Sequence, residues 1–92
     1  MEWRLFATMA EAAGTESVRV DVGPEATVGD ALDALLAEAP AIEERLYDAD
    51  GEIYDHVRLL RNGESPFATG EGLDEPVEAD DELALMPAVS GG

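Results

Sequence analysis

The chain contains no cysteine and no lysine, and His56 is its only histidine. Without cysteine there can be no disulfide framework, no thiol nucleophile and no thiolate metal site within the chain. One histidine with no second histidine or cysteine is a weak candidate for a metal ligand or a general base, so we interpret His56 as a surface residue. Since no nucleophile and base pair is evident, we expect neither an enzyme, nor a metal site, nor a cofactor bound by this chain.

Basic residues are also scarce, because 22 acidic residues face only five basic ones, all of them arginine, for a net charge of −17. A charge of this sign argues against nucleic acid and anionic membranes as direct ligands. The self-repulsion that it causes would fade in molar salt, where the Debye length is about 3 Å. The acids are spread along the chain, which favours adaptation to the salty cytoplasm of a halophile, and an acidic surface matched to a basic partner is the alternative.

Long apolar runs are absent as well, and the first residues do not have the pattern of a signal peptide, which predicts a cytoplasmic protein with no membrane partner. The 92 residues are 46% hydrophobic. This composition predicts one small packed domain, which we expect to be a monomer when free.

Alternating apolar and polar residues predict four strands, and helical spacing predicts one main helix that Thr27 caps and Pro40 ends. The predicted strands cover residues 2–7, 17–22, 56–62 and 83–86, and the predicted helices cover residues 8–14 and 27–39 with a further turn over 41–47. Gly14 is predicted to stop the first helix, and Asn62-Gly63 is predicted to form a tight turn. Besides one apolar stripe of the main helix, the side chains predicted to face inward include Ala7, Phe67, Leu73, Val77, Leu83 and Leu85. This order predicts an α+β fold of the β-grasp type, with a mixed sheet of four to five strands and the main helix across one face.

An acidic turn, Asp48 to Glu52, has carboxylates at alternate positions followed by a glycine, as calcium loops do. The glycine comes too early, and Leu59 stands where a bidentate glutamate would be needed. We interpret the segment as a solvated turn, and whether it binds any cation stays open.

Three apolar residues, Phe6, Leu60 and Met86, are predicted to point away from the core. If the first and last strands are parallel neighbours, these side chains meet at one end of the sheet. An exposed apolar patch of this kind indicates a partner-docking surface, and the alternative is ordinary scattered surface apolar residues.

The chain ends with Pro87, Ala88, Val89, Ser90, Gly91 and Gly92. Proline cannot donate a hydrogen bond to a sheet, so the last strand should end near Met86 and divide a body of residues 1–86 from an exposed tail of residues 87–92. Two terminal glycines leave a slender tail whose carboxylate has no side chain beside it. A frayed terminus is the alternative.

The whole pattern resembles the ubiquitin-like sulfur carriers: the small subunit of molybdopterin synthase, the thiamine sulfur carrier and the small archaeal modifier proteins. The segments that carry the resemblance are residues 5–7, Glu11 with Gly14, residues 27–32, residues 60–63, residues 81–85 and residues 87–92. Two positions depart from the pattern: Ala88 replaces a second proline, and Asp80 replaces a glycine. The acidic insert over residues 48–57 is most similar to the archaeal modifiers of halophiles.

The resemblance implies that an E1-like enzyme uses ATP and Mg²⁺ to adenylate the carboxylate of Gly92. A thiocarboxylate or an isopeptide bond to a target lysine would follow, with Val89, Ser90 and Gly91 giving reach and Phe6, Leu60, Met86 and Pro87 giving docking. The implied further partners are the large subunit of molybdopterin synthase, target proteins and a tRNA-thiolating enzyme.

Two narrower interpretations stay open from the sequence. The chain could be a dedicated small subunit of molybdopterin synthase that is not conjugated to proteins. It could also be an acidic interaction module whose C-terminus is idle.

Overall fold

The computed structural model describes residues 1–87, apart from the side chain of Thr69, and the predicted tail residues 88–92 lie outside the described residues. Four strands form one sheet in the spatial order β2-β1-β4-β3. Their bounds are Glu2–Leu5 (β1), Ser17–Arg19 (β2), Val57–Arg61 (β3) and Glu82–Pro87 (β4). β1 pairs with β4 in parallel, and the two outer pairings are antiparallel. The predicted mixed sheet is therefore confirmed.

Three helices lie between these strands in the predicted order, and a fourth, short helix was not predicted. They are α1 (Thr8–Ala13), α2 (Val28–Glu38), α3 (Glu43–Leu46) and α4 (Pro66–Thr69), with 3-10 turns at Pro40–Ile42 and Gly72–Asp74. Over residues 1–87, none of the helices is long and apolar enough to cross a membrane.

The main helix, α2, begins at a capping box, in which two residues satisfy each other's backbone N–H groups. The Asp30 N–H donates to the Thr27 hydroxyl at 3.2 Å, and the Thr27 N–H donates to the Asp30 carboxylate at 3.0 Å. The apolar face that follows is buried, with Leu32 and Leu35 fully enclosed. The predicted cap and buried stripe are confirmed.

The core lies between α2 and the sheet, and Trp3 ties the two layers together. Its indole is fully buried and donates a hydrogen bond from Nε1 to the carbonyl of Ala31 at 3.0 Å. Leu83 and Leu85 of β4 are buried on the same side of the sheet. Because the buried residues of each strand alternate with polar or exposed ones, the opposite face of the sheet stays open.

Three inward predictions are wrong. Ala7 is exposed because the chain turns there, with φ at 51°, and β1 ends two residues earlier than predicted. Phe67 and Leu73 are 53% and 36% exposed, whereas Val77, which was predicted inward with them, is buried and anchors this loop together with the buried Pro66. A loop without a regular period gives no pattern from which its inward side chains could be read.

The last strand runs one residue further than predicted, because Pro87 is its final residue and pairs with Val57. A proline is tolerated at the end of a strand, where the missing N–H costs at most one ladder hydrogen bond. The body of the protein therefore includes Pro87.

Candidate docking surface

The open face of the sheet presents six side chains in two rows at the end where β1 and β4 finish. In one row Ala84 of β4 lies between Arg4 of β1 and Leu60 of β3. In the next row Met86 is paired with Arg58 of β3. The backbone N–H of Phe6 donates to the carbonyl of Leu85 at 3.1 Å, so the parallel register continues and places Phe6 beside Met86.

The apolar members of these rows are the three residues that the sequence predicts to point outward. Phe6 is 45% exposed, and Leu60 and Met86 are partly exposed. Ala84, with a single methyl group, lies between the larger side chains of Arg4 and Leu60 in the first row. We call Phe6, Leu60 and Met86 the apolar patch; their docking role stays a prediction.

The remaining two members are exposed arginines at opposite corners. Arg4 and Arg58 make no ion pair or hydrogen bond through their side chains within residues 1–87, where both ion pairs belong to Arg61. Acidic strand residues on this face begin only one row further from the tail, where Glu2 is paired with Glu82. Alternation with Leu5 and Leu59 in the sequence indicated that the two arginines point outward, but it gave no role for them.

The turn that leads into β4 is held by a buried carboxylate. Asp81 is 6% exposed. It accepts hydrogen bonds from Arg61 Nε at 2.7 Å, Asn62 Nδ2 at 2.9 Å and the Glu78 N–H at 2.7 Å. Burial by itself would raise the pKa of Asp81, but the hydrogen bonds from Glu78, Arg61 and Asn62 outweigh it and lower the pKa below its usual value.

This anchor fixes how β3 and β4 are aligned, because Asn62 adds two further hydrogen bonds. Its side-chain carbonyl accepts from the Glu82 N–H at 2.9 Å, and its backbone N–H donates to the Glu82 carbonyl at 2.8 Å. Asn62 and Gly63 both have positive φ, as the predicted Asn-Gly turn requires. The register that brings Leu60 and Met86 to one face therefore depends on the anchor.

The other candidates from the sequence lie apart from this face or do not form a site. His56 is exposed, and its ring stacks on Tyr54 with centroids 4.8 Å apart. In the turn at residues 48–52, the Asp48 carboxylate accepts backbone N–H groups of Asp50 and Glu52. Glu78, Asp80 and Asp81 have carboxylates within 4.8 Å of one another. Asp81 already has three donors there.

The tail residues Val89, Ser90, Gly91 and Gly92 lie outside the described residues, so their predicted role is not tested by the geometry. The described part nevertheless fixes where the tail begins. It follows Pro87, one residue after Met86 of the apolar patch. The point at which the described chain ends, Pro87, is therefore next to the apolar patch.

The fold and this surface define a small β-grasp protein of the ubiquitin-like class. The model of the ThiS family matches residues 3–92, nearly the whole chain. The chain belongs to the ThiS family.

Several relatives match this chain, in sequence or in structure, over nearly its whole length. The chain is 58% identical over 92 residues to small archaeal modifier protein 1 of Haloferax volcanii, with 100% of both chains covered. A crystal structure of that protein has a TM-score of 0.86 over 100% of this chain and 98% of the other. The crystal structure of the Amycolatopsis orientalis BexX/CysO complex contains a chain that is 25% identical, with a TM-score of 0.79 and coverage of 99% and 98%.

These relatives confirm the β-grasp fold and the resemblance to small archaeal modifiers. They also agree with the expectation that the chain is a modifier and carrier on which other proteins act, and is itself no catalyst.

Proposed function

We propose that this chain is a ubiquitin-like modifier and sulfur carrier whose reactive group is the carboxylate of Gly92. An E1-like enzyme with ATP and Mg²⁺ would join that carboxylate to AMP and release pyrophosphate. A free carboxylate has a poor leaving group, and the acyl-adenylate replaces it with AMP, which leaves readily. The proposal is supported by the family match, which extends to residue 92.

Two outcomes follow from the same adenylate. A lysine amine of a target protein can displace AMP to form an isopeptide bond. An enzyme persulfide can instead displace AMP to form an acyl disulfide, whose S–S bond a second thiol cleaves to leave a thiocarboxylate on Gly92. That sulfur would pass to a molybdopterin precursor bound by the large synthase subunit, or to a tRNA through a thiolating enzyme. Because this protein has no lysine, its own side chains cannot accept a further copy, and it cannot build polymeric conjugates of itself in that way.

The observation that carries the proposal is the position of the apolar patch. Phe6 and Met86 lie side by side at the end of the sheet from which the tail leaves. Pro87 continues β4 from Met86, so a partner that contacts Met86 also contacts the start of the tail. An exposed apolar patch of this kind is a suitable docking surface for the activating enzyme.

The direct test is intact-mass analysis after incubation with an E1-like enzyme of a related archaeon and ATP. Wild-type chain should gain an adenylate, a thiocarboxylate or a conjugate, and a chain that lacks Gly91 and Gly92 should gain none. If wild type gains none of the three under conditions in which the enzyme activates its own carrier, the proposal is wrong.

The patch is tested by Met86→Asp against a matched control, Ala37→Asp. Ala37 is exposed on α2, on the other side of the molecule, so both variants place one new acid on the surface. Met86→Asp should raise the KM for the carrier about tenfold or more, since apolar anchors dominate such contacts. Ala37→Asp should leave it within twofold.

The narrower alternative, a dedicated small subunit of molybdopterin synthase, differs in its partners. It predicts that purification of tagged chain recovers one large subunit and no conjugated proteins. Recovery of isopeptide-linked targets would exclude it. The idle-tail alternative predicts that the Gly91–Gly92 deletion leaves cellular function intact.

A further inference from the structure

The basic side chains of this acidic chain are unevenly placed. Of its five arginines, Arg61 is committed to Asp81 and Glu75, at 2.7 Å and 3.6 Å. Arg45 lies on α3, away from the sheet's open face. The register places the other three, Arg4, Arg19 and Arg58, on that open face.

Two of these three flank the apolar patch. Arg4 is next to Ala84 in the row of Leu60, and Arg58 is next to Met86. Strands lie about 4.8 Å apart and rise about 3.3 Å per residue, which puts the two Cα atoms roughly 12 Å apart across the patch. Arg19 is farther from the tail, where it lies opposite Glu2 in the register of β1 and β2.

No carboxylate neutralises this pair within the described part of the chain. Glu16 lines a hollow with Arg4 and Phe6, and Asp55 lines a groove with Arg58 and Leu60, but neither comes within 4.0 Å of a guanidinium. Both guanidinium groups therefore have their donors available to a partner. An arginine fork can bind a carboxylate through two parallel hydrogen bonds.

We infer that Arg4 and Arg58 select a partner surface on which carboxylates lie beside apolar side chains, and that the activating enzyme presents such a surface. This inference rests on the proposed function. An enzyme surface with carboxylates is repelled by most of a chain that carries −17 charges. Around the apolar patch it meets two guanidinium groups that no carboxylate of residues 1–87 pairs, so the arginines orient the encounter as well as contribute contacts.

Salt changes the balance between orienting the encounter and contributing contacts. In molar salt the Debye length falls to about 3 Å, so repulsion between distant acids is screened while arginine–carboxylate hydrogen bonds at contact distance remain. The selectivity that we infer therefore acts at close range, after the apolar patch has begun to dock.

The test measures KM and kcat for carrier adenylation, by ATP–pyrophosphate exchange with the E1-like enzyme used above. The variant Arg4→Glu/Arg58→Glu should raise KM about tenfold or more with kcat unchanged at saturation, because opposing acids then face each other. The control Arg19→Glu/Arg45→Glu makes the same change in net charge and should stay within twofold. Arg4→Lys/Arg58→Lys keeps the charge without the fork and should fall between wild type and the reversed variant.

Three results would overturn the inference and leave the proposed function standing or untouched. If Met86→Asp raises KM but the Arg4/Arg58 reversal does not, the apolar patch docks without the arginines, and the proposed function stands. Equal increases in both double variants would mean that only total charge matters. A concentration-dependent dimer that the Arg4/Arg58 reversal dissociates, seen by sedimentation, would assign the face to a second copy of the chain. Failure of wild type to be adenylated would instead refute the proposed function and this inference with it.

Discussion

Asp81 offers the sharpest test of what holds the candidate docking surface in register. Its buried carboxylate accepts three hydrogen bonds, from Arg61, Asn62 and Glu78, and so joins the end of β3, the following turn and the start of β4. We expect Asp81→Asn to destabilise the fold strongly. An amide keeps the shape but removes the charge, and its NH₂ group must face a donor at one of the two oxygen positions.

The expected cost follows from these contacts. A hydrogen bond to a charged group contributes about 1.5–3 kcal/mol, and a buried donor left unsatisfied costs about 1–3 kcal/mol. Arg61 is 26% exposed, so water takes over part of its share. We therefore expect a loss of roughly 2–3 kcal/mol in the free energy of unfolding. For a domain of this size that corresponds to a melting temperature lower by roughly 8–24 °C.

The same anchor predicts a pH dependence. The folded-state pKa of Asp81 is lowered, so its stabilisation is fully present above the unfolded carboxyl pKa of about 3.9 and is lost as the pH falls through the lower folded value. The difference in unfolding free energy between wild type and Asp81→Asn should therefore be constant near neutral pH and shrink below about pH 4.

Urea unfolding followed by far-UV circular dichroism, at fixed molar KCl and a series of pH values, measures both quantities. Asp80→Asn is the matched control, since Asp80 is the exposed neighbour and the charge change is the same. A loss below about 0.5 kcal/mol for Asp81→Asn, as surface substitutions give, would refute the reasoning. A difference that does not shrink in acid would refute its electrostatic part.

Three further predictions concern the fold that carries the surface, each measured by denaturant unfolding in the same salt. Trp3→Phe should lose roughly 2 kcal/mol, because the hydrogen bond from the indole to the Ala31 carbonyl disappears and a void replaces the lost ring; a loss near zero would contradict the buried contact. Thr27→Ala should lose about 1 kcal/mol with the cap, whereas Thr27→Ser should be close to wild type and any equal loss would argue against capping. Gly14→Ala should cost about 1 kcal/mol at φ 76° although the space around it is open, and Gly14→Asn should cost less if backbone strain is the reason.

Regular patterns allowed most of the fold to be predicted from the sequence. The alternation in β4 correctly gave Leu83 and Leu85 as buried, and the helical spacing gave the buried face of α2. Gly14 and the Asn62-Gly63 pair marked turns because their backbone angles suit few other residues. Each of these signals is local, so the neighbours in the chain suffice to interpret it.

The sequence was less informative where tertiary contacts decide. Phe67 and Leu73 are apolar in a loop without a period, where Val77 was correctly predicted inward but nothing local indicated that Pro66 would be buried while Phe67 and Leu73 would not. The anchor at Asp81 joins residues about 20 positions apart, so no local pattern could reveal it. Likewise, alternation indicated that Arg4 and Arg58 point outward, but only the strand order puts them around one patch.

The parallel pairing of β1 with β4 also limits how any partner can use the tail. Both strands end at the same edge of the sheet, so the apolar patch lies where the chain leaves the body. Five residues, 88–92, separate Pro87 from the terminal carboxylate. A chain spans at most about 3.3–3.6 Å per residue, which bounds the reach of Gly92 at roughly 18 Å from Pro87. Under the proposed function, an enzyme that docks on Met86 and activates Gly92 must hold its reactive centre within that distance of its docking surface, so docking and chemistry cannot be placed on separate, distant domains.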